Sequence, residues 1–132
     1  MRVGFARAMA DKRLTAVFTE NFAANLDTIK EFLGEEGGLA FDRLLDRLFD
    51  DLVPSLCRFP LSGRAYLARP AGSLEARSAI RRLKRLLQPG DQLRELILNE
   101  YLILYLVRGS RVVFLAIKHH RQLSFDLHSF WP

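Results

Sequence analysis

The last third of the chain carries the side chains best suited to acid–base and phosphate chemistry. A histidine can take up or release a proton near neutral pH, and an arginine can hold two oxygens of a phosphate at once. Such groups together could cleave a phosphodiester without a metal, which requires a base, an acid and cations beside the developing charge. The candidates are Arg94, Tyr105, Lys118, His119, His120 and Arg121.

Strand geometry ranks these candidates. Successive side chains of a strand point to opposite faces, so His119 and His120 diverge, whereas Lys118 and His120 share a face. For this chemistry we therefore expect His120 to be the stronger acid or base, with Arg121 or Arg94 as the cation that binds phosphate.

Each candidate also has a purely structural interpretation. His119 could be a half-buried core histidine that bonds to the backbone, and Tyr105 lies among leucines, where a tyrosine usually packs into a core. Arg94 is followed by Glu95 and could take part in a cross-strand ion pair. Arg121 could instead position the chain end or contact a partner. The sequence leaves both interpretations open.

Other kinds of site are not supported by the sequence. Cys57 falls beside an apolar stripe and is expected to be buried and unreactive. Adjacent strand residues diverge, so His119, His120 and His128 do not predict a metal site. The glycines of residues 34–38 lack the lysine and the serine or threonine of a phosphate-binding loop. We therefore expect no metal and no cofactor.

A basic segment lies between the two halves of the chain, which carries a net charge of +5. Apolar residues at helical spacing predict an amphipathic helix over 74–87, which Ser73 can cap and Pro89 stops. Its polar side either faces solvent or contacts RNA, DNA or an acidic partner. The cations of that side are Arg77, Arg81, Arg82, Lys84 and Arg85.

The first half of the chain predicts one strand and two helices. Residues 13–18 have the composition of a short strand, and Thr19 can cap a helix over 20–33. A second amphipathic helix is expected over 41–56, where Pro54 should kink or shorten it. Glycines between the two helices turn the chain, which predicts an antiparallel helical hairpin.

The last third changes to the pattern of a sheet. Apolar segments at 93–98, 101–107 and 112–118 are separated by two-residue turns, of which Gly109-Ser110 suits a type II′ hairpin. Both faces of the middle strand are apolar, so we expect helices on one face and a partly open cleft or partner site on the other. The predicted fold is α+β: a helical hairpin packed on a small antiparallel sheet, to which the first strand is added.

Length and composition fit one small domain. The 132 residues, of which 49% are hydrophobic, suffice for one core, so the sequence predicts a single domain over 1–132. The longest apolar run, at 101–107, is far shorter than the roughly 20 residues of a membrane-spanning helix. The first residues lack the apolar centre of a signal peptide. We therefore expect a cytoplasmic protein that does not enter a membrane.

Three ordered groups of residues together resemble a known family. They are FPLSGR at 59–64 after the helices, LREL at 93–96 with EYLILY at 100–105, and VFLAIKHHRQ at 113–122. The set resembles the RelE/ParE superfamily of bacterial toxins from type II toxin–antitoxin systems (plasmid stabilisation proteins), over about 14–127. Two segments depart from the family pattern: an amino-terminal extension at 1–12 and the basic helical insertion at 65–90.

The resemblance implies a growth-inhibiting toxin that a cognate antitoxin holds inactive, typically through an acidic or amphipathic segment. RelE-like members cut mRNA on the ribosome, and ParE-like members poison DNA gyrase without cutting anything. The segment after Arg121 lacks the tyrosine or lysine that the nucleases often carry there, and the long helical pair favours the gyrase target. Both targets stay open, as does a non-toxic nucleic-acid-binding or scaffold module that uses the basic helix 77–85.

Overall fold

A strand, a helical hairpin and a run of antiparallel strands follow one another in the computed structural model, which describes residues 13–66, 78, 81–82 and 84–119. The elements are β1 (Thr15–Phe18), α1 (Glu20–Leu33), a 3-10 turn (Glu35–Gly37), α2 (Gly38–Asp46), a π-helical segment (Arg47–Leu52), α3 (Val53–Arg58), a second 3-10 turn (Pro60–Ser62), β2 (Arg64–Ala65), β3 (Gln92–Leu98), β4 (Tyr101–Arg108) and β5 (Arg111–His119).

The described strands form one sheet of five in the order β1-β5-β4-β3-β2. Neighbouring strands are antiparallel except β1, which runs parallel to β5 at one edge. Gly109 takes a φ of 59°, as the first central residue of a type II′ turn requires. The predicted α+β class and the addition of the first strand are confirmed, although β1 begins at Thr15 instead of residue 13.

Helix α1 has the bounds that its apolar spacing predicts. The Thr19 hydroxyl accepts a hydrogen bond from the Phe22 N–H at 3.1 Å and donates one to the Phe114 carbonyl at 2.9 Å. It therefore caps the helix and joins it to β5. Further along, the Asn25 side-chain oxygen accepts the Ile117 N–H at 3.1 Å. Polar side chains thus fix the helix against the end of β5.

The second arm of the hairpin stays helical through Pro54 and ends at Arg58, so the proline does not end it. The segment Arg47–Leu52, which precedes α3, has π-helical hydrogen bonding. At its end the Val53 N–H donates to the Leu48 carbonyl, five residues back. Pro54 has no backbone N–H to donate. The change of hydrogen-bond register just before it puts Pro54 in the first turn of α3, where a helix tolerates the loss of that donor. The sequence predicted the disturbance but not its form.

Both faces of the sheet are buried over their centre. The hairpin covers one face, where Phe22, Leu48 and Leu56 pack with Ile103, Tyr105 and Phe114. We call this the helix face, and the opposite side the insertion face. On the insertion face Leu104, Leu106 and Leu115 are fully buried, and Tyr66, Leu86 and Leu87 pack against this cluster. The expectation of an open cleft there is wrong, because residues of the insertion cover it.

A β-bulge sets which side chains of β5 reach each face. Leu104 pairs with Ala116 but Tyr105 pairs with Phe114, so Leu115 is an additional residue in β5. Leu115 and Ala116 both pack on the insertion face. Beyond the bulge, Tyr101 pairs with His119 and Leu102 with Lys118. His119 therefore lies on the helix face and Lys118 on the insertion face.

Candidate functional site

Tyr105 is fully buried on the helix face, and its hydroxyl holds the turn that follows the hairpin. It donates a hydrogen bond to the Pro60 carbonyl at 2.7 Å and accepts one from the Gly63 N–H at 2.9 Å. Burial raises the pKa of Tyr105, although the Gly63 N–H and the Arg94 charge act in the opposite direction. The phenol is thus a protonated group at neutral pH that joins the sheet to the turn at 60–63.

Arg94 approaches the same turn from the neighbouring strand. Its Nη1 donates to the Gly63 carbonyl at 2.6 Å and to the Leu61 carbonyl at 3.3 Å. Its Nε is buried without a partner in the described part of the chain. The guanidinium of this predicted phosphate-binding residue therefore binds backbone carbonyls and, with Tyr105, fixes the turn from two sides.

Glu95 is a buried carboxylate on the insertion face that sequence reasoning did not single out as a site residue. Its side chain is only 2% exposed and accepts from the Arg64 Nη2 at 2.7 Å and from Nε at 3.2 Å. The signal for this site in the sequence was a charged residue within an apolar strand. In the structure, the pairing of β2 with β3 places Arg64 opposite Glu95. The ion pair holds β2 against β3.

His119 lies at the far end of the helix face from Arg94. Its Nε2 is 3.5 Å from a Glu100 carboxylate oxygen, and its ring meets the edge of Tyr101 at a centroid distance of 5.9 Å. Through their partners on β4, Arg94 and His119 are separated by four residues, or about 13 Å along the strand. Lys118 is on the opposite face. The described candidates therefore do not converge on one point.

His120, Arg121 and Arg77 lie outside the described residues, so their roles stay predictions. The predicted helix 74–87 lies mostly outside them too, but residues 81–82 and 84–86 are helical. The four described cations of its polar side are exposed to solvent. We call this group the cationic quartet: Arg81, Arg82, Lys84 and Arg85.

The turn end of the helical hairpin exposes apolar side chains that the sequence pattern did not assign to a site. Phe32 is 82% exposed and Leu39 is 63% exposed. At the same end an open cavity of about 550 Å³ is lined by Leu33, Ala40, Leu44 and Tyr101 among other residues. We call Phe32, Leu39 and this cavity the hairpin surface. In the sequence, the signal for this surface was Phe32, an aromatic residue that does not fall on the apolar stripe of α1.

The cysteine and the acidic groups offer no reactive centre in the part of the chain that the structure describes. Cys57 is buried, as predicted, and burial raises the pKa of its thiol despite the opposing charge of Arg13. Among the described residues, no group of histidine, cysteine, aspartate and glutamate side chains could hold a metal ion. No helix within the same residues is long and apolar enough to cross a membrane.

The architecture is that of a RelE/ParE-like toxin: a helical hairpin on a mostly antiparallel sheet, with the first strand parallel to the last. The family model described as ParE toxin of type II toxin-antitoxin system, parDE, matches residues 16–124. The chain therefore belongs to the ParE toxin family, and its type II system implies an antitoxin partner. A comparison with curated proteins found no match.

Proposed function

We propose that this ParE-family toxin arrests growth by binding DNA gyrase, and that a cognate antitoxin neutralises it by occupying the hairpin surface. Both events take place in the cytoplasm. The family membership supports a gyrase target, because ParE-like toxins act by binding gyrase and not by cutting RNA.

Tyr105 and Arg94 already bind other groups of the protein, and this observation favours gyrase over mRNA as the target. Cleavage through a ribose hydroxyl requires a base, an acid and a cation around one phosphate. The Tyr105 hydroxyl is fully buried and already donates and accepts one hydrogen bond each, and Arg94 binds the carbonyls of residues 61 and 63. Neither group is available to a phosphate without loosening the turn.

The hairpin surface supports the assignment of the antitoxin. Large apolar side chains that are as exposed as Phe32 and Leu39 are typical of protein interaction sites. An amphipathic helix could place its apolar anchors in the adjacent cavity, whose wall carries charges of both signs: Arg43 and Arg47 beside Asp46 and Glu100. This matches the amphipathic or acidic character that the family implies for the antitoxin.

The target is tested by a brief induction of the full chain in bacteria, followed within minutes by two measurements. A DNA-damage reporter records gyrase poisoning, and mapping of new mRNA 5′ ends records cleavage. We expect damage signalling, loss of supercoiling activity by purified gyrase when the chain is added, and intact messages. New ends inside translated codons, with gyrase unaffected, would instead identify the chain as a ribonuclease.

A double variant, His120→Ala with Arg121→Ala, separates the two targets further. Under the gyrase proposal it produces no change in mRNA ends, because none are cut by the parent chain. If the parent chain does cut mRNA and this variant does not, the cleavage residues predicted from the sequence are correct and the gyrase proposal fails. Normal growth with intact DNA and messages would contradict toxicity itself.

A further inference from the structure

The cationic quartet combines four exposed charges within five residues of the insertion. Arg81 is one helical turn from Lys84 and Arg85, and Arg82 is three residues from Arg85, so the Cβ atoms of neighbouring cations stand about 5–6 Å apart. The segment is fixed in place, because Leu86 and Leu87 pack against the buried leucine cluster of the insertion face. The charges are thus presented outward from a supported segment.

Described neighbours do not neutralise the quartet. None of its four side chains makes an ion pair or a side-chain hydrogen bond with the residues that the structure describes. The described acidic residues that follow the quartet along the chain, Asp91 and Glu95, are themselves bound to Arg108 at 2.8 Å and to Arg64 at 2.7 Å. Their charges are therefore already compensated, and the quartet retains a local positive potential.

The surroundings of the quartet favour a phosphate backbone over a protein partner. Protein interfaces depend on apolar or aromatic anchors at their centre, but the leucines beside the quartet face the sheet. Recognition of single strands depends on exposed aromatic rings that stack on bases. Among the described residues, the exposed phenylalanines are Phe18, Phe32, Phe49 and Phe59. They belong to β1, the hairpin and the turn after it, not to the insertion face.

We propose that the cationic quartet binds the phosphate backbone of duplex DNA without reading its sequence. This goes beyond the proposed function, because free DNA suffices as the ligand and gyrase is not required. In a toxin directed at gyrase, such a contact would hold the toxin against the DNA that the enzyme carries. The insertion, which departs from the family pattern, would then add a contact with DNA to the contact that the toxin makes with gyrase.

The test measures binding of the full chain to a DNA duplex of about 30 base pairs by fluorescence anisotropy, between about 50 and 200 mM salt. The quartet variant is Arg81→Gln, Arg82→Gln, Lys84→Gln and Arg85→Gln. The control removes two exposed cations that lie outside the insertion, Arg13→Gln and Lys30→Gln, and is matched to the pair Arg81→Gln and Arg85→Gln.

If all four cations contact phosphates, the slope of log affinity against log salt becomes shallower by about 3.6 in the quartet variant. The control variant should keep most of the slope of the parent chain. Circular dichroism and the thermal midpoint verify the fold. If the quartet variant is poorly folded, the pair Arg81→Gln and Arg85→Gln should remove about half of that slope.

Three results would overturn the proposal. They are an unchanged slope in the quartet variant, an equal loss in the control variant, and binding of single-stranded RNA as tight as that of duplex DNA. If the quartet variant binds DNA normally but no longer binds the antitoxin, the surface is a protein interface instead. A failure of the chain to inhibit gyrase would refute the proposed function and leave the DNA-binding measurement unaffected.

Discussion

At the scale of single residues, Tyr105 shows how a group suited to chemistry can be committed to structure. Its hydroxyl joins the Pro60 carbonyl to the Gly63 N–H. Gly63 has to be a glycine, because a Cβ there would lie 2.6 Å from both the Glu95 carbonyl oxygen and the Tyr105 hydroxyl. The packing of turn, β3 and β4 therefore depends on a tyrosine and a glycine together.

We expect Tyr105→Phe to lower the free energy of unfolding by about 2 kcal/mol, because it leaves the buried Gly63 N–H and the partly buried Pro60 carbonyl without partners. Urea unfolding followed by circular dichroism measures the change. The matched control is Tyr101→Phe, whose hydroxyl makes no hydrogen bond within the described residues and should cost less than about 0.5 kcal/mol. Equal losses in the two variants would contradict this role of Tyr105.

Asp91 and Arg108 form the best shielded ion pair among the described residues. The Asp91 side chain is 2% exposed and accepts two bonds from Arg108 at 2.8 and 3.1 Å, as well as one from the Gln88 N–H at 2.8 Å. Burial alone would raise the pKa of Asp91, but these bonds and the Arg108 charge outweigh it and lower that pKa. The pair ties the end of the insertion to the end of β4.

A lowered pKa in the folded state means that the Asp91 carboxylate stabilises the fold at neutral pH. This contribution is present above about pH 4, the ordinary value for aspartate, and is lost as the pH falls through the lower folded-state value. The stability difference between the parent chain and Asp91→Asn should therefore shrink on acidification below about pH 4. Urea unfolding from about pH 7 to pH 3 measures it.

The control for this prediction is Asp51→Asn, which removes the exposed pair that Asp51 forms with Arg47 at 3.5 Å. Solvent screens this pair, so the variant should match the parent chain closely across the same pH range. A difference for Asp91→Asn that stays constant down to pH 3 would show that the pair does not carry the acid sensitivity.

At the scale of elements, the sequence predicts best where local forces decide. The bounds of α1 follow from the Thr19 cap and an apolar stripe that ends at Leu33, both readable within one stretch of chain. The π-helical segment and the bulge at Leu115 are not readable in this way. Pro54 marks where the helix has to change, but a proline alone does not specify a π-helical register. The bulge determines which side chains of β5 reach each face, so it depends on tertiary contacts that the sequence pattern does not contain.

The candidate site was predicted less well than the fold, for a related reason. Residue types and strand alternation indicate which groups could do chemistry, but not which hydrogen bonds they already make. Arg94 and Tyr105 both point to the turn at 60–63, a contact between residues more than 30 positions apart. The cover of the insertion face by Leu86 and Leu87 is likewise a long-range packing choice.

At the scale of the whole molecule, two exposed surfaces of different chemistry lie on opposite sides of the sheet. The hairpin surface is apolar with charges along its cavity, as expected for a protein partner, and it belongs to the elements packed on the helix face. The cationic quartet belongs to a segment packed on the insertion face. If both proposals hold, the toxin binds its antitoxin and DNA on opposite sides of the sheet, and the two do not exclude each other.

This separation predicts that antitoxin binding can be removed without loss of the fold. Because Phe32 and Leu39 are exposed, replacing both with serine should leave the thermal midpoint unchanged. If they are anchors for the antitoxin, their loss should weaken its binding at least tenfold, since such anchors are each worth about 1–2 kcal/mol or more. Affinity for the antitoxin and rescue of growth on co-expression are the two measurements.

The control for the hairpin variant is Ile97→Ser, which removes a side chain that is 64% exposed on the insertion face. This variant also removes an exposed apolar side chain but lies away from the hairpin, so it should bind the antitoxin like the parent chain. If Ile97→Ser loses the antitoxin and the hairpin variant does not, the antitoxin occupies the insertion face. The antitoxin would then compete with DNA for the insertion face, and neutralisation would also release the toxin from DNA.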